Sequence, residues 1–101
     1  MIGAILGDII GSPYEFDRGC KSKEFPLFSR QSTYTDDTVM TLAVGLTFLD
    51  APSSASDDWI LRTLADHMRK FGKMYPNAGY GGRFRQWLLN QECKAYNSFG
   101  N

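Results

Sequence analysis

Between Val39 and Leu49 apolar side chains point to nearly every side of a helix, and such a segment keeps its shape only when other elements cover it. Val39, Leu42, Ala43, Leu46 and Leu49 fall on one face, with Met40, Val44 and Phe48 on another. The spacing predicts a helix over 36–49, buried on most sides. Whatever fold the chain adopts must be built around it.

The covering elements are also helical in pattern. Ile2, Ile5, Leu6, Ile9 and Ile10 predict a core helix over 2–10. Gly3, Gly7 and Gly11 form a second line on it, and each costs a helix about 1 kcal/mol relative to alanine. Such a line predicts close approach by another backbone, tight helix packing being its simplest form. Ser12-Pro13 ends the helix, because proline disfavours helical geometry at the residue before it. Residues 12–34 then read as one long loop, a length common among lids and binding loops.

Ala51-Pro52-Ser53-Ser54 is a break, and Ser54-x-x-Asp57 has the form of a capping box opening a helix over 57–71. Leu61, Leu64, Ala65, Met68 and Phe71 form its inner face, and Gly72 is the predicted stop. The turn-rich run from Tyr75 to Gly82 leads into a last short helix carrying Phe84, Trp87 and Leu88. With Trp59, these aromatics read as core. No repeat and no alternating strand pattern appears, so the fold class is all-α, with residues 1–101 belonging to one domain.

Composition narrows the function classes. Hydrophobic residues make up 43% of the chain and aromatics 14%, too much apolar surface for a disordered segment. Eleven basic residues balance eleven acidic ones, so no overall field draws the chain to nucleic acid or an anionic membrane. Arg18, Lys21, Lys23 and Arg30 cluster, but Asp17 and Glu24 interrupt them, as in a solvated loop. The N-terminal run is apolar, yet it lacks a basic flank, carries Asp8 and is too short to span a bilayer. Cys20 and Cys93 lie far apart, with no CxxC spacing and no second histidine. A cytoplasmic protein is expected. His67, the single histidine, reads as a partly exposed surface residue.

The most informative stretch is Tyr34-Thr35-Asp36-Asp37-Thr38, where two acids stand between hydroxyls at the head of the apolar helix. Capping explains part of it: Thr35 or Asp36 is a suitable N-cap, and acids there complement the helix dipole. Capping does not call for hydroxyls on both sides of two acids, whereas a hard divalent cation calls for several oxygens on a rigid element. Both readings stand. A Thr-Asp-Asp group is only part of a magnesium site, so further carboxylates are required. Asp8, costly on an apolar helix unless paired, either bonds a neighbouring helix end or joins such a site. Glu15, just past Pro13, is a second candidate, with simple solvation as its alternative.

Four motifs in order carry a resemblance across essentially the whole chain. They are Gly3-Ala4-x-x-Gly7-Asp8-x-x-Gly11-x-x-x-Glu15-Phe16, Tyr34-Thr35-Asp36-Asp37-Thr38-x-Met40-Thr41-Leu42-Ala43, Gly79-Tyr80-Gly81-Gly82-x-Phe84-x-x-Trp87-Leu88 and Tyr96-Asn97-Ser98-Phe99-Gly100-Asn101. Together they resemble the N-terminal part of the ADP-ribosylglycohydrolases, the family that includes the dinitrogenase reductase-activating glycohydrolase.

The resemblance implies the N-terminal helices of an orthogonal all-α bundle. It also implies hydrolysis of the glycosidic bond between ADP-ribose and a protein side chain, with two magnesium or manganese ions. Thr35, Asp36 and Asp37 match the family's first set of metal ligands. Glu15 matches an acidic residue with a catalytic part in some members, and Glu15 and Asp36 are the candidates for general base or electrostatic partner to an oxocarbenium-like transition state.

On the same resemblance, Gly81 and Gly82 let backbone approach the substrate and Tyr80 stacks on a base or ribose. A helix-initiating turn is the alternative for this segment. Asn97 and Ser98 lead into a segment that contacts ADP-ribose in the family. Family members continue well beyond Asn101 and supply a second acidic metal-binding group there. The expectation is therefore a two-ion site only partly encoded here, with exposed apolar surface beside the helix over 36–49. The partners implied are ADP-ribose or an ADP-ribosylated protein, together with a partner chain or self-association. Alternative readings are one half of a split enzyme, a non-catalytic truncated helical fragment or an interaction module.

Overall fold

A computed structural model of the chain describes residues 1–16, 22–90 and 96. Helix α1 spans Ile2–Gly11 and runs into a single 3-10 turn at Ser12–Tyr14; α2 spans Asp36–Asp50, α3 Asp57–Met74 and α4 Gly82–Leu89. No strand occurs among the described residues, as the all-α expectation required. Cys20, Cys93, Asn97 and Ser98 lie outside the described residues.

Helices α2 and α3, joined by the short 51–56 turn, pack on each other as a helical hairpin. The cap of α3 is Ser56, whose hydroxyl accepts from the Trp59 N–H at 3.2 Å, and not the predicted Ser54. Ser56 has the extended backbone that aims a hydroxyl at the first helical turn. Gly72 does not stop α3, which continues to Met74. It is a buried packing notch: a Cβ there would lie 2.8 and 2.9 Å from the two Leu88 methyls, so α4 seats Leu88 where Gly72 has no side chain.

The core is small and sits at one end of the hairpin. Val39, Ala78, Tyr80 and Leu88 are its buried members, with Met40, Phe71, Phe84 and Trp87 packed around them. The first turns of α2, the end of α3, the 75–81 loop and α4 thus meet at one place. The Arg69 guanidinium lies 4.6 Å from the Trp87 ring centre and extends the cluster along α3.

Cover elsewhere is thinner than the apolar pattern predicts. Val39 and Ala43 are buried on α2, but Phe48 is 62% exposed and Leu49 81%. Helix α2 is therefore covered on one side by the described residues, and the expected exposed apolar surface is present. Helix α1 has no buried residue, so it is not the core helix expected. Among the described residues nothing lies within 4 Å of where a Cβ would stand on Gly3, Gly7 or Gly11, so none of them packs closely on the glycine line. Helix α1 instead packs on α2. Met1 fills the place a Cβ would take on Gly45, and Asp8 reaches the start of α2.

His67 is not at the surface. Its side chain is only 15% exposed, and Nδ1 lies 3.0 Å from the hydroxyl of fully buried Thr47. Thr47 donates its single proton to the Ala43 carbonyl at 2.9 Å, so the bond requires a donating Nδ1–H on His67. The Nε2 edge faces Asp50 at 3.6 Å. His67 is a cross-link between α2 and α3.

Candidate functional site

Asp8 organises the site from α1. Its carboxylate accepts from the Thr35 N–H at 3.1 Å, the Thr35 hydroxyl at 2.6 Å, the Thr38 N–H at 3.1 Å and the Thr38 hydroxyl. Partial burial alone would raise its pKa, but the bonds from Thr35 and Thr38 outweigh it and hold the carboxyl below its ordinary value. Of the two readings open for Asp8, the bond to a neighbouring helix end is the one formed. It leaves the opening turn of α2 fixed against α1.

Thr35 is the N-cap of α2, with extended backbone and a hydroxyl that accepts from the Asp37 N–H at 3.2 Å. That hydroxyl also gives its proton to Asp8. One oxygen lone pair of Thr35 is thereby left for another acceptor-seeking group. Thr38, which no sequence argument assigned, is buried and shares the Asp8 carboxylate one turn later. Its signal was available in the i, i+3 spacing from Thr35, which puts both hydroxyls on one face of α2.

Asp36 stands in the first turn, half-buried, and its carboxyl is pushed above the usual range by burial and by the charge of Asp37, with Asp8 adding to it. Asp37 is exposed. The Thr35 oxygen and the Asp36 and Asp37 carboxylates form the donor set a hard cation takes. A positive charge beside them would relieve the strain on Asp36. Among the described residues no three acidic, imidazole or thiol side chains gather as a group that could hold a metal ion.

The 75–81 loop closes over Asp36. Gly79 has φ +104°, a conformation that favours glycine, and a Cβ there would lie 3.7 Å from Asp36 Oδ1. Tyr80 follows it into the core, 4% exposed, with its ring 4.9 Å from that of Phe84. A ring so enclosed presents little surface on which a base or ribose could stack. The Tyr80 hydroxyl is buried with no hydrogen-bond partner among the described residues, and its pKa is raised by burial, then by Asp36 and Tyr34.

Gly81 caps α4 and Gly82 opens it. This agrees with a helix-initiating turn. Both glycines are exposed, and among the described residues nothing lies within 4 Å of where a Cβ would stand on either.

Glu15 is exposed on the turn after Ser12–Tyr14. Ser12 ties this turn toward the site: its hydroxyl donates to the Ile9 carbonyl at 2.9 Å and accepts from the Thr33 N–H at 3.0 Å. Tyr14 donates from its hydroxyl to the Pro26 carbonyl at 3.4 Å. The 12–16 and 22–35 segments are thus fastened together at the end of α1, and the second ends at Thr35. No helix among the described residues is long and apolar enough to cross a membrane.

A family model described as ADP-ribosylglycohydrolase matches residues 1–101. No curated protein and no solved structure matches the chain.

Proposed function

On the premise that this chain belongs to the ADP-ribosylglycohydrolase family, we propose that it takes part in metal-dependent hydrolysis of the glycosidic bond joining ADP-ribose to a protein side chain. The observation that carries the reading is the state of Thr35 and Asp36. Thr35 has its proton committed to Asp8 and a lone pair left, while Asp36 is a desolvated carboxylate crowded by Asp37 and Asp8. Plain capping accounts for Thr35, whereas the backbone hydrogen bonds to Asp36 offset only part of its burial and of the Asp37 and Asp8 charges.

Thr35, Asp36 and Asp37 hold magnesium or manganese in this reading. When bound, the ion supplies Lewis acidity toward ribose hydroxyls and water and stabilises charge near the anomeric carbon. Asp8 locks the Thr35 oxygen in place, so a ligand meets a preformed oxygen and not a rotating hydroxyl. Asp36 and the exposed Glu15 are the carboxylates for proton abstraction from water and for balancing positive charge on the sugar. Gly81 and Gly82 give the substrate access to backbone at the head of α4.

Thermal unfolding with magnesium and ADP-ribose tests this. Ligand at about one hundred times its Kd stabilises a fold by about 2.7 kcal/mol, a rise of several degrees in Tm for a chain of this size. The rise is expected in the native chain and absent in the Thr35→Ala, Asp36→Ala, Asp37→Ala triple variant. An equal rise in both, or none in either, removes the reading.

A second reading, a helical interaction module, is favoured by the exposed apolar side chains of α2, above all Phe48 and Leu49. It predicts indifference to magnesium in the same experiment.

A further inference from the structure

Gly45, midway along α2, is buried, and the place its Cβ would take is filled by the methyl and sulfur of Met1. Any side chain at position 45 would expel them. The seat is in register with the bonds of Asp8. Met1, the N-cap of α1, stands as far from Asp8 along one helix as Gly45 does from Thr38 along the other, about 10.5 Å in each. Helix α1 therefore lies antiparallel on α2, with Met1 seated at one end and Asp8 bonded at the other. Since α1 has no buried residue, the seating of the Met1 tip is a large part of its apolar hold on α2.

We propose that Met1 is a redox-modification site, whose oxidation to the sulfoxide unseats it from the Gly45 notch and releases α1 from α2. The oxidant is a peroxide. One oxygen passes to the thioether sulfur as the O–O bond breaks, so the sulfide is oxidised to sulfoxide and hydrogen peroxide is reduced to water. The proposal is independent of the metal reading.

The notch suits a thioether and rejects a sulfoxide. Its floor is mid-helix backbone, whose N–H and C=O groups are spent on the hydrogen bonds of α2 itself. A thioether is apolar and polarisable and needs nothing from that floor. A sulfoxide brings a strong acceptor that would be buried without a donor, in a space already filled. Met1 as a residue is 62% exposed, so the seat is at the protein surface, within reach of a small oxidant. Release of α1 would carry Asp8 away from Thr35 and Thr38, so oxidation at one end of α1 loosens the head of α2 at the other.

Hydrogen exchange after peroxide treatment tests this. The full chain is compared with a Met40→Leu, Met68→Leu, Met74→Leu variant, in which Met1 is the only methionine left and the replacements conserve volume. Peptide masses report the oxidation, and amide exchange is read over α1 and α3. The expected result is that Met1 sulfoxide speeds exchange in α1 about 5- to 100-fold and leaves α3 unchanged. Methionine sulfoxide reductase should restore slow exchange. Gly45→Ala should give the same acceleration without oxidant, because its Cβ takes the place of the Met1 methyl.

Unchanged α1 exchange in the oxidised chain overturns the proposal, as does α1 exchanging freely before oxidation. Equal acceleration of α1 and α3 overturns it too, because the whole fold would then be loosened. Acceleration by peroxide with Gly45→Ala indistinguishable from the native chain also overturns it, because the notch would not be what holds Met1.

Discussion

Asp8 and Asp36 are neighbours in space with opposite electrostatic fates, and the difference lies in their donors. Asp8 receives four hydrogen bonds from Thr35 and Thr38, so its charged form is favoured in the fold. Its contribution to stability is complete above the unfolded carboxylate pKa and is lost as pH falls through the lower folded value. Asp36 has the reverse sign. Its raised folded pKa means that ionisation disfavours the fold, so this loss of stability begins as pH rises past the unfolded value and is complete above the folded one.

Asp8→Asn should therefore cost about 2 kcal/mol at pH 7, the scale of charged hydrogen bonds lost to a neutral amide, and should weaken the acid dependence of stability. Asp36→Asn in metal-free buffer should raise the urea midpoint at pH 7 and leave it nearly unchanged at pH 3. Urea unfolding at the two pH values checks both. A stabilised Asp8→Asn at pH 7 would contradict the bonding described here.

At the scale of elements, two sets of glycines in helices have opposite meanings. Gly7 on α1 has open space where a Cβ would stand, so Gly7→Ala should add up to about 1 kcal/mol of stability through helix propensity alone. Gly72 on α3 holds both Leu88 methyls within 2.9 Å of that position, so Gly72→Val should cost about 2–3 kcal/mol by forcing α4 away. Thermal melts of the two single variants should move in opposite directions. Periodicity located the four α-helices found among the described residues, because side-chain spacing follows directly from helix geometry. It did not distinguish these glycines, since a notch and an open stripe carry the same letter and differ only in what packs opposite.

The same limit applied to the site. The Thr-Asp-Asp motif and the doubtful Asp8 were visible as residues out of place, whereas their bond depends on α1 meeting α2 and has no local signature. Tyr80 was visible as an aromatic in a glycine loop, but its depth is set by Phe84 and Val39, which sequence alone does not bring to it. From sequence His67 reads as a partly exposed surface residue. The helical hairpin instead turns it toward Thr47.

For the molecule as a whole, the imbalance is between a small core at one end and apolar surface elsewhere. Phe48 and Leu49 end α2, Leu61 lies on α3 and Leu89 ends α4, and all four are largely exposed. Isolated exposed apolar residues are ordinary in soluble proteins, but Phe48 and Leu49 are adjacent in sequence and continue the line of Val44, itself 40% exposed. With net charge near zero, long-range repulsion does little to oppose association through such a surface. Sedimentation velocity should show an average mass that rises with concentration. The Phe48→Lys, Leu49→Lys double variant should stay monomeric at concentrations where the native chain associates, because it adds two positive charges and removes the two largest apolar groups there. Both positions lie far along α2 from Thr35 and Asp36, so the variant should keep the magnesium response of the native chain. Loss of association with the metal response retained would separate the two ends of α2 in function, the first turn serving the site and the last serving contact with another chain.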